Sequence, residues 1–251
     1  MSAPFANALL YWTAAVAITL AAAAWQAARD RLDPWSMYLA GLGGLACAAM
    51  AGSGYAALLV AGRDHAAAEG QGALGAFAGA AGGAWLVLRL RGERFLHYAD
   101  AAVPAVALGY ATYRIGCFFN GCCAGTVTAV PWGVRFGPET EAFAVQAASG
   151  LIGPDAAHTL PVHPTQLYHA VAGLAGFAIL LGMGARPAGA RLAAGLAFYG
   201  VTRLAIEFLR ADAVPVAGPL DVNQLVCLAM IAAGAMLGAR RPRPGLREGP
   251  A

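Results

Sequence analysis

The chain has 251 residues, of which 59% are hydrophobic and 12% are charged, and its formal net charge is +3. A soluble globular domain carries about twice that share of charged residues, so the composition argues against a soluble protein and predicts an integral membrane protein. The positive charge is small and scattered along the chain, so nucleic acid is not expected as a partner.

Seven apolar segments of about 20 residues, the length of a membrane-spanning helix, follow one another along the chain. They cover residues 7–28, 36–61, 71–90, 99–119, 165–185, 191–210 and 219–239. We therefore predict an all-α integral membrane protein with about seven transmembrane helices in a single domain, residues 1–251. The first segment lacks the basic start of a secretory signal and is longer than its apolar stretch, so we expect it to be retained.

The distribution of arginine predicts the orientation of these helices. The first, third and fifth loops and the C-terminal residues hold eleven arginines, whereas the second, fourth and sixth loops hold three. Short cytoplasmic loops carry the excess of basic residues, which predicts an N-terminus outside and residues 240–251 as a cytoplasmic tail. Residues 120–164 then form an extracytoplasmic insertion between the fourth and fifth helices, and an insertion of that length indicates a folded or functional element.

Charged residues within the sixth predicted helix, AFYGVTRLAIEFLRAD, are the first candidates for a site. Tyr199, Arg203 and Glu207 are four residues apart and Arg210 follows three later, so they share one face of a helix. A charged side chain inside a bilayer costs about 2.5–3.5 kcal/mol and usually marks function or a buried partner. Two interpretations are open: an ion pair that stabilises the helix bundle, or a cavity that binds a charged headgroup.

The segment YRIGCFFNGCCAG, at the predicted outer end of the fourth helix, places Arg114 at the same depth as Arg203. Arg114 alone could extend its side chain to the membrane surface. Two guanidinium groups that converge from separate helices would instead form a clamp for phosphate, because their planar donors match its geometry.

Polar residues also open the fifth helix, in HPTQLYH. His163, Gln166 and Tyr168 either face the same cavity or are ordinary surface and capping residues, and His169 follows them.

The cysteines suggest packing or a disulfide rather than a metal site. Cys47 and Cys227 lie in predicted spans, where cysteine packs as a small apolar residue. Cys117, Cys122 and Cys123 lie toward the oxidising side, where a Cys117–Cys122 bond is more plausible than a bond between adjacent residues. Their spacing does not match a paired C-x-x-C zinc site, and we predict no metal and no cofactor.

Four blocks in this order, YRIGCFFNGCCAG, PWGVRF, HPTQLY and FYGVTRLAIEFLRAD, resemble the prolipoprotein diacylglyceryl transferase family over residues 99–236. The resemblance implies a multi-pass enzyme of the bacterial cytoplasmic (inner) membrane. Its reaction would transfer diacylglyceryl from phosphatidylglycerol to the lipobox cysteine of a prolipoprotein, with a thioether as product and glycerol 1-phosphate as leaving group. The implied partners are phosphatidylglycerol, the prolipoprotein signal peptide and membrane lipid.

The resemblance also implies roles for single residues. Arg203 would stabilise the leaving phosphate, and Glu207 would orient Arg203 or take the thiol proton, so these two are the expected catalytic residues. Arg114 would bind the headgroup. The remaining expected substrate-binding residues are Asn120, Gly121, Tyr199, Arg210, His163, Gln166 and Tyr168.

The chain departs from the family pattern at several positions. Cys117 and Cys122 replace an asparagine and a glutamate, Phe77 stands where a histidine is expected in the third helix, and Tyr11 is only a weak substitute for the R-x-Y-G motif of the first helix. The base would then be His163, His169 or Glu207. Two alternative functions stay open: a non-catalytic homologue that binds phospholipid, and a small seven-helix transporter with Arg203 and Glu207 along its pathway.

Overall fold

A computed structural model describes the backbone of residues 3–60, 65–184, 186–211, 215–217 and 219–239, and the side chains within 9–51, 75–184, 186–211 and 219–239. This part of the chain forms eight helices and one short hairpin. The helices are α1 (Ala3–Arg29), α2 (Pro34–Val60), α3 (His65–Leu90), α4 (Phe95–Asn120), α5 (Glu141–Ala148), α6 (Thr165–Gly182), α7 (Ala190–Glu207) and α8 (Val222–Gly238). The antiparallel hairpin joins β1 (Pro215–Ala217) to β2 (Leu220–Asp221).

The predicted all-helical architecture is confirmed, and seven of the helices coincide in order with the seven predicted segments. Three helical stretches within the described residues are long and apolar enough to cross a membrane: Leu9–Arg29, Phe95–Asn120 and Thr165–Gly182. The stretches Gly75–Leu90 and Val222–Gly238 are apolar but shorter. Arg63 of the second loop and the predicted tail, residues 240–251, lie outside the described residues.

Helix bounds differ from the predicted ones by a few residues at most ends, and three differences affect the elements around the insertion and the last two helices. The insertion contains α5, which begins where the Thr140 hydroxyl accepts a hydrogen bond from the Phe143 N–H. The sixth predicted helix ends at Glu207 instead of residue 210, because the chain turns there to meet the segment after α4. The last helix begins at Val222, because a capping box between Asp221 and Gln224 satisfies the backbone N–H groups of both residues.

Small residues let α1 and α4 approach closely. The α-carbon of Gly116 lies against Tyr11, and a β-carbon at Gly116 would stand 2.4 Å from the β-carbon of that tyrosine. Gly109, two turns earlier on α4, meets Thr19 of α1 in the same way. Glycine at such positions brings two helix backbones into contact, which is a common basis of helix association in lipid.

Ion pairs gather three loops at one end of the bundle, which we call the polar end. Asp30, next to the end of α1, pairs with Arg191 near the start of α7. Asp33, just before α2, pairs with Arg91 between α3 and α4 at 3.2 Å. The buried carboxylate of Asp100 near the start of α4 accepts two backbone N–H groups at the start of α7, each at 2.7 Å. The first, third and fifth loops therefore share one end, as the arginine distribution predicts, and the opposite end of α4 carries Arg114.

We predict that Gly116→Ala destabilises the protein by about 1–3 kcal/mol, because the added methyl group overpacks the contact with Tyr11. The matched control is Gly82→Ala on α3, where a β-carbon would meet no atom within 4 Å. This control should be neutral or gain up to about 1 kcal/mol from the higher helix propensity of alanine. Thermal unfolding in detergent measures both variants, and equal unfolding temperatures would contradict the predicted α1–α4 contact.

Candidate functional site

The ends of α4 and α7 and the start of α6 meet through backbone hydrogen bonds. After α4 stops at Gly121, whose φ of 66° is left-handed, the chain folds back over the bundle. The Gly125 N–H donates to the His163 carbonyl at 3.0 Å, and the Thr126 N–H donates to the Leu209 carbonyl at 2.8 Å. These bonds fix three separate stretches of sequence against each other and so determine which side chains converge.

Two buried side chains of α6 attach the chain after α4 to the bundle. The Gln166 Nε2 donates to the carbonyl of Cys122 and the Thr165 hydroxyl donates to the carbonyl of Cys123, both at 2.7 Å. Gln166, an expected substrate-binding residue, thus uses its amide nitrogen for a hydrogen bond to the backbone of Cys122. Its Oε1 is buried and has no hydrogen-bond partner among the described residues.

Glu207 is the central charge of the site. Only 1% of its surface is exposed, and it forms ion pairs with Arg203 at 3.3 Å and Arg210 at 3.4 Å. Asn223 of α8 also donates to the Glu207 Oε1 at 3.0 Å. A carboxylate buried this deeply needs compensation, which two cations and the Asn223 amide supply, although the Oε2 that pairs with Arg203 accepts no hydrogen bond among the described residues. Both arginines are predicted from the sequence, whereas Asn223 is not, because its partner lies on another helix.

Arg210 reaches Glu207 from outside the helix. The prediction placed Arg210 on the helical face of Arg203 and Glu207, but α7 ends at Glu207. Arg210 lies in the turn that follows, where its backbone pairs with Gly125. Arg210 and Glu207, three residues apart, do interact. The backbone pairing of Arg210 with Gly125, rather than a continuous helix, positions this interaction.

Arg114 lies 7% exposed near the end of α4, between aromatic rings. Its guanidinium carbon stands 5.0 Å from the ring centre of Tyr110 and 5.6 Å from that of Tyr113. The Nε of Arg114 is buried and has no hydrogen-bond partner among the described residues. Aromatic faces attract a cation without using its N–H donors, so Arg114 keeps donor capacity for an anion.

Tyr110 connects Arg114 to α6 and α7. Its ring meets Tyr199 edge-on at 5.3 Å between centroids and His169 at 5.9 Å. Arg203, one turn beyond Tyr199, lies within electrostatic range of Arg114, Tyr110 and Tyr199. We call Arg114, Arg203 and Arg210 the arginine cluster. Arg114 and Arg203 come from separate helices and act on each other electrostatically, and their convergence on one phosphate stays a prediction.

An aromatic rim lies beside this cluster at the start of α6. The Trp132 Nε1 donates to the Tyr168 hydroxyl at 2.7 Å, and the His163 Nδ1 lies 3.2 Å from the same hydroxyl. Trp132 is 59% exposed. His163 and Tyr168 were predicted as site residues from HPTQLY. Trp132 belongs to the PWGVRF motif but was not predicted as a site residue.

Two predicted residues lie at the end of α4. Asn120 is its last residue and is partly exposed. Gly121 packs against Thr140, whose side chain would lie 2.5 Å from an added β-carbon. Gly121 therefore has a structural reason to be glycine in addition to any contact with substrate.

The five cysteines are all free thiols in the structure, so the Cys117–Cys122 bond, the more plausible pairing if a disulfide forms, is not present there. The Cys122 thiol instead contacts the Cys117 carbonyl at 3.7 Å. The pKa of the Cys123 thiol is held below its ordinary value by hydrogen bonds from the thiols of Cys117 and Cys122. The positive charges of Arg210 and Arg114 act in the same direction. Cys227 is fully buried in α8, as expected of a packing residue.

Phe77 and Tyr11, which depart from the family pattern in the third and first helices, do not take part in the contacts around Glu207 and Arg114 described above. Phe77 on α3 is 58% exposed, as an apolar residue on an outer helix surface would be. Tyr11 of α1 stacks on Phe119 with ring centroids 5.3 Å apart.

Comparison with known proteins identifies relatives of the chain. Residues 8–240 match the family model described as prolipoprotein diacylglyceryl transferase. The phosphatidylglycerol–prolipoprotein diacylglyceryl transferase of Azotobacter vinelandii is 34% identical over 158 residues, which cover 60% of this chain and 53% of that protein. The enzymes of the same name from Geobacter sulfurreducens and Clostridium tetani are 37% and 32% identical, over 57% and 64% of this chain and 52% and 59% of their own. The matched region thus spans little more than half the length of these relatives.

We predict that Glu207→Ala destabilises the protein by about 3–5 kcal/mol, because it leaves two partly buried guanidinium groups without their carboxylate. Glu139→Ala, at an exposed position before α5, is the matched control and should stay within about 0.5 kcal/mol of wild type. Thermal unfolding in detergent compares the two. An unfolding temperature for Glu207→Ala equal to that of the control would show that the ion pairs contribute no stability.

Proposed function

The chain belongs to the prolipoprotein diacylglyceryl transferase family, and from that premise we propose that it transfers diacylglyceryl from phosphatidylglycerol to the lipobox cysteine of a prolipoprotein. The relatives that bear this activity in their names support the proposal. The observation that carries it is the arginine cluster. Arg203 and Arg210 share the Glu207 carboxylate, and Arg114 adds a third guanidinium group without a carboxylate of its own, which leaves positive charge and the unused Nε of Arg114 for a phosphate.

In the proposed reaction, the lipobox thiolate attacks the glyceryl carbon that carries the phosphate oxygen. A C–S bond forms as the C–O bond breaks, and its electron pair stays with the oxygen of glycerol 1-phosphate. Negative charge grows on this leaving group, and preorganised donors in a water-poor site stabilise such charge effectively. We assign Arg114 to the headgroup phosphate and Arg203 to the leaving oxygen, with Glu207 holding Arg203 in position.

The remaining predicted residues have places around this reaction. Tyr199 borders the arginine cluster and Arg210 belongs to it, and both are proposed to contact the lipid headgroup. His163 and Tyr168 of the aromatic rim, with Gln166 behind them, are proposed to receive the polar part of either substrate. Asn120 and Gly121 would contact substrate from the end of α4. The exposed indole of Trp132 makes the rim suited to the membrane surface, where amphipathic rings concentrate.

We further propose seven membrane spans in a bacterial inner membrane, formed by all helices except α5. The polar end would face the cytoplasm, and the arginine cluster and residues 120–164 would face outside. The gathering of the first, third and fifth loops by ion pairs supports this arrangement. The lipid would then reach the site from the outer leaflet, and a secreted preprotein from the same side.

Purified protein given phosphatidylglycerol and a lipobox peptide with one cysteine should form a thioether-linked diacylglyceryl peptide, detected by mass spectrometry. We expect Arg203→Ala to lower the rate at least about 100-fold, the usual effect of removing a donor from a developing oxyanion. Arg186→Ala, an exposed arginine between α6 and α7, should leave it unchanged. Wild-type protein that binds the lipid and forms no product would refute the transferase and favour the non-catalytic homologue.

The topology predicts where inserted epitope tags can be detected. A tag after Gly153, an exposed glycine in the insertion, should be accessible to antibody on spheroplasts, and a tag after Arg186 only after permeabilisation. The opposite pattern would reverse the proposed orientation.

A further inference from the structure

We propose that His169 is the general base that takes the proton from the attacking thiol. The inference rests on the proposed function, because it names the group that completes that reaction. A cysteine thiol attacks only as a thiolate, and its proton must pass to an acceptor close to the phosphate site.

The position of His169 meets this requirement. It lies on the first turns of α6 with 1% of its surface exposed, and its Nε2 is buried without a hydrogen-bond partner among the described residues. Its ring meets the edge of Tyr110, whose face carries Arg114. The imidazole is therefore one aromatic ring away from the guanidinium group that is assigned to the phosphate.

The two other candidate bases are already engaged. Glu207 forms ion pairs with Arg203 and Arg210 and accepts a hydrogen bond from Asn223, so a proton taken up there would weaken the contacts that hold the site together. The His163 Nδ1 lies within hydrogen-bond distance of the Tyr168 hydroxyl on the aromatic rim. His169 combines burial beside the arginine cluster with an unused ring nitrogen.

The surrounding charges connect this base to lipid binding. Arg114 of α4, Arg203 of α7 and Arg210 beyond α7 all act on His169 electrostatically, and so does the Cys123 thiol. A phosphate bound to the arginine cluster brings negative charge that offsets the guanidinium groups and stabilises an imidazolium ion. Proton transfer to His169 is therefore easier with the lipid in place than without it, and the proton taken from the thiol stays beside the departing phosphate.

The test compares two acceptor peptides that differ in one atom, a lipobox cysteine and a lipobox selenocysteine. A selenol is ionised at neutral pH, so it needs no base. His169→Gln should slow transfer to the cysteine peptide at least about 100-fold, within the usual range for loss of a general base. Transfer to the selenocysteine peptide should stay within a few-fold of wild type. His158→Gln, at an exposed position in the insertion, is the matched control and should leave both rates unchanged.

Two further measurements separate a base from a structural role. The His169→Gln variant should bind phosphatidylglycerol and unfold at the same temperature as wild type. If that variant does not fold, the His169→Asn variant is used for the same measurements. An equal loss with both peptides in a folded variant, or no loss with either, would overturn the inference alone. Wild-type protein inactive with both peptides would overturn the proposed transferase itself, and the inference with it.

Discussion

A single buried carboxylate organises the candidate site. Glu207 is held by Arg203 from its own helix, Arg210 from the turn after it and Asn223 from α8. Removing a carboxylate and two guanidinium groups from water costs several kcal/mol per ion, and their attraction repays this only when the geometry is good. The packing of α7 against α8 and the turn that returns Arg210 to Gly125 supply that geometry. A bundle that needed only stability would be served as well by apolar residues, and the proposed function gives these charges a reason beyond stability.

The charges of the bundle are separated into two sets with different chemistry. At the polar end each of the two ion pairs joins one aspartate to one arginine between two loops, and their charges balance. At the opposite end two arginines, Arg203 and Arg210, share Glu207, and a third, Arg114, is supported mainly by aromatic faces. Balanced pairs stabilise loops, whereas an excess of buried guanidinium groups favours an anion nearby. Arginine thus has a structural role at one end, and the binding role proposed for it belongs to the other.

Parts of the site were predictable from local sequence. The i,i+4 relation of Arg203 and Glu207 is a property of any helix, and the apolar periodicity of FYGVTRLAIEF makes the helix evident. Arg114 was found because an arginine in an apolar segment is costly. Asn223, Tyr110 and Trp132 were missed, since each resembles an ordinary residue of its segment and gains its role from a partner far away in the chain. The helix α5 was missed because eight residues in a segment rich in turn signals give too little periodicity.

The sequence alone determined the number and order of the long helices, the asymmetry of arginine between loops and the residue types available for phosphate chemistry. These follow from hydrophobic length and from the cost of charge in lipid, which each segment carries by itself. The tertiary structure decided that the ends of α4 and α7 and the start of α6 meet, that α7 stops at Glu207, and that His169 lies next to the ring that supports Arg114. Such choices depend on backbone hydrogen bonds and close packing between distant segments, and no local pattern encodes a contact whose two halves lie fifty or more residues apart.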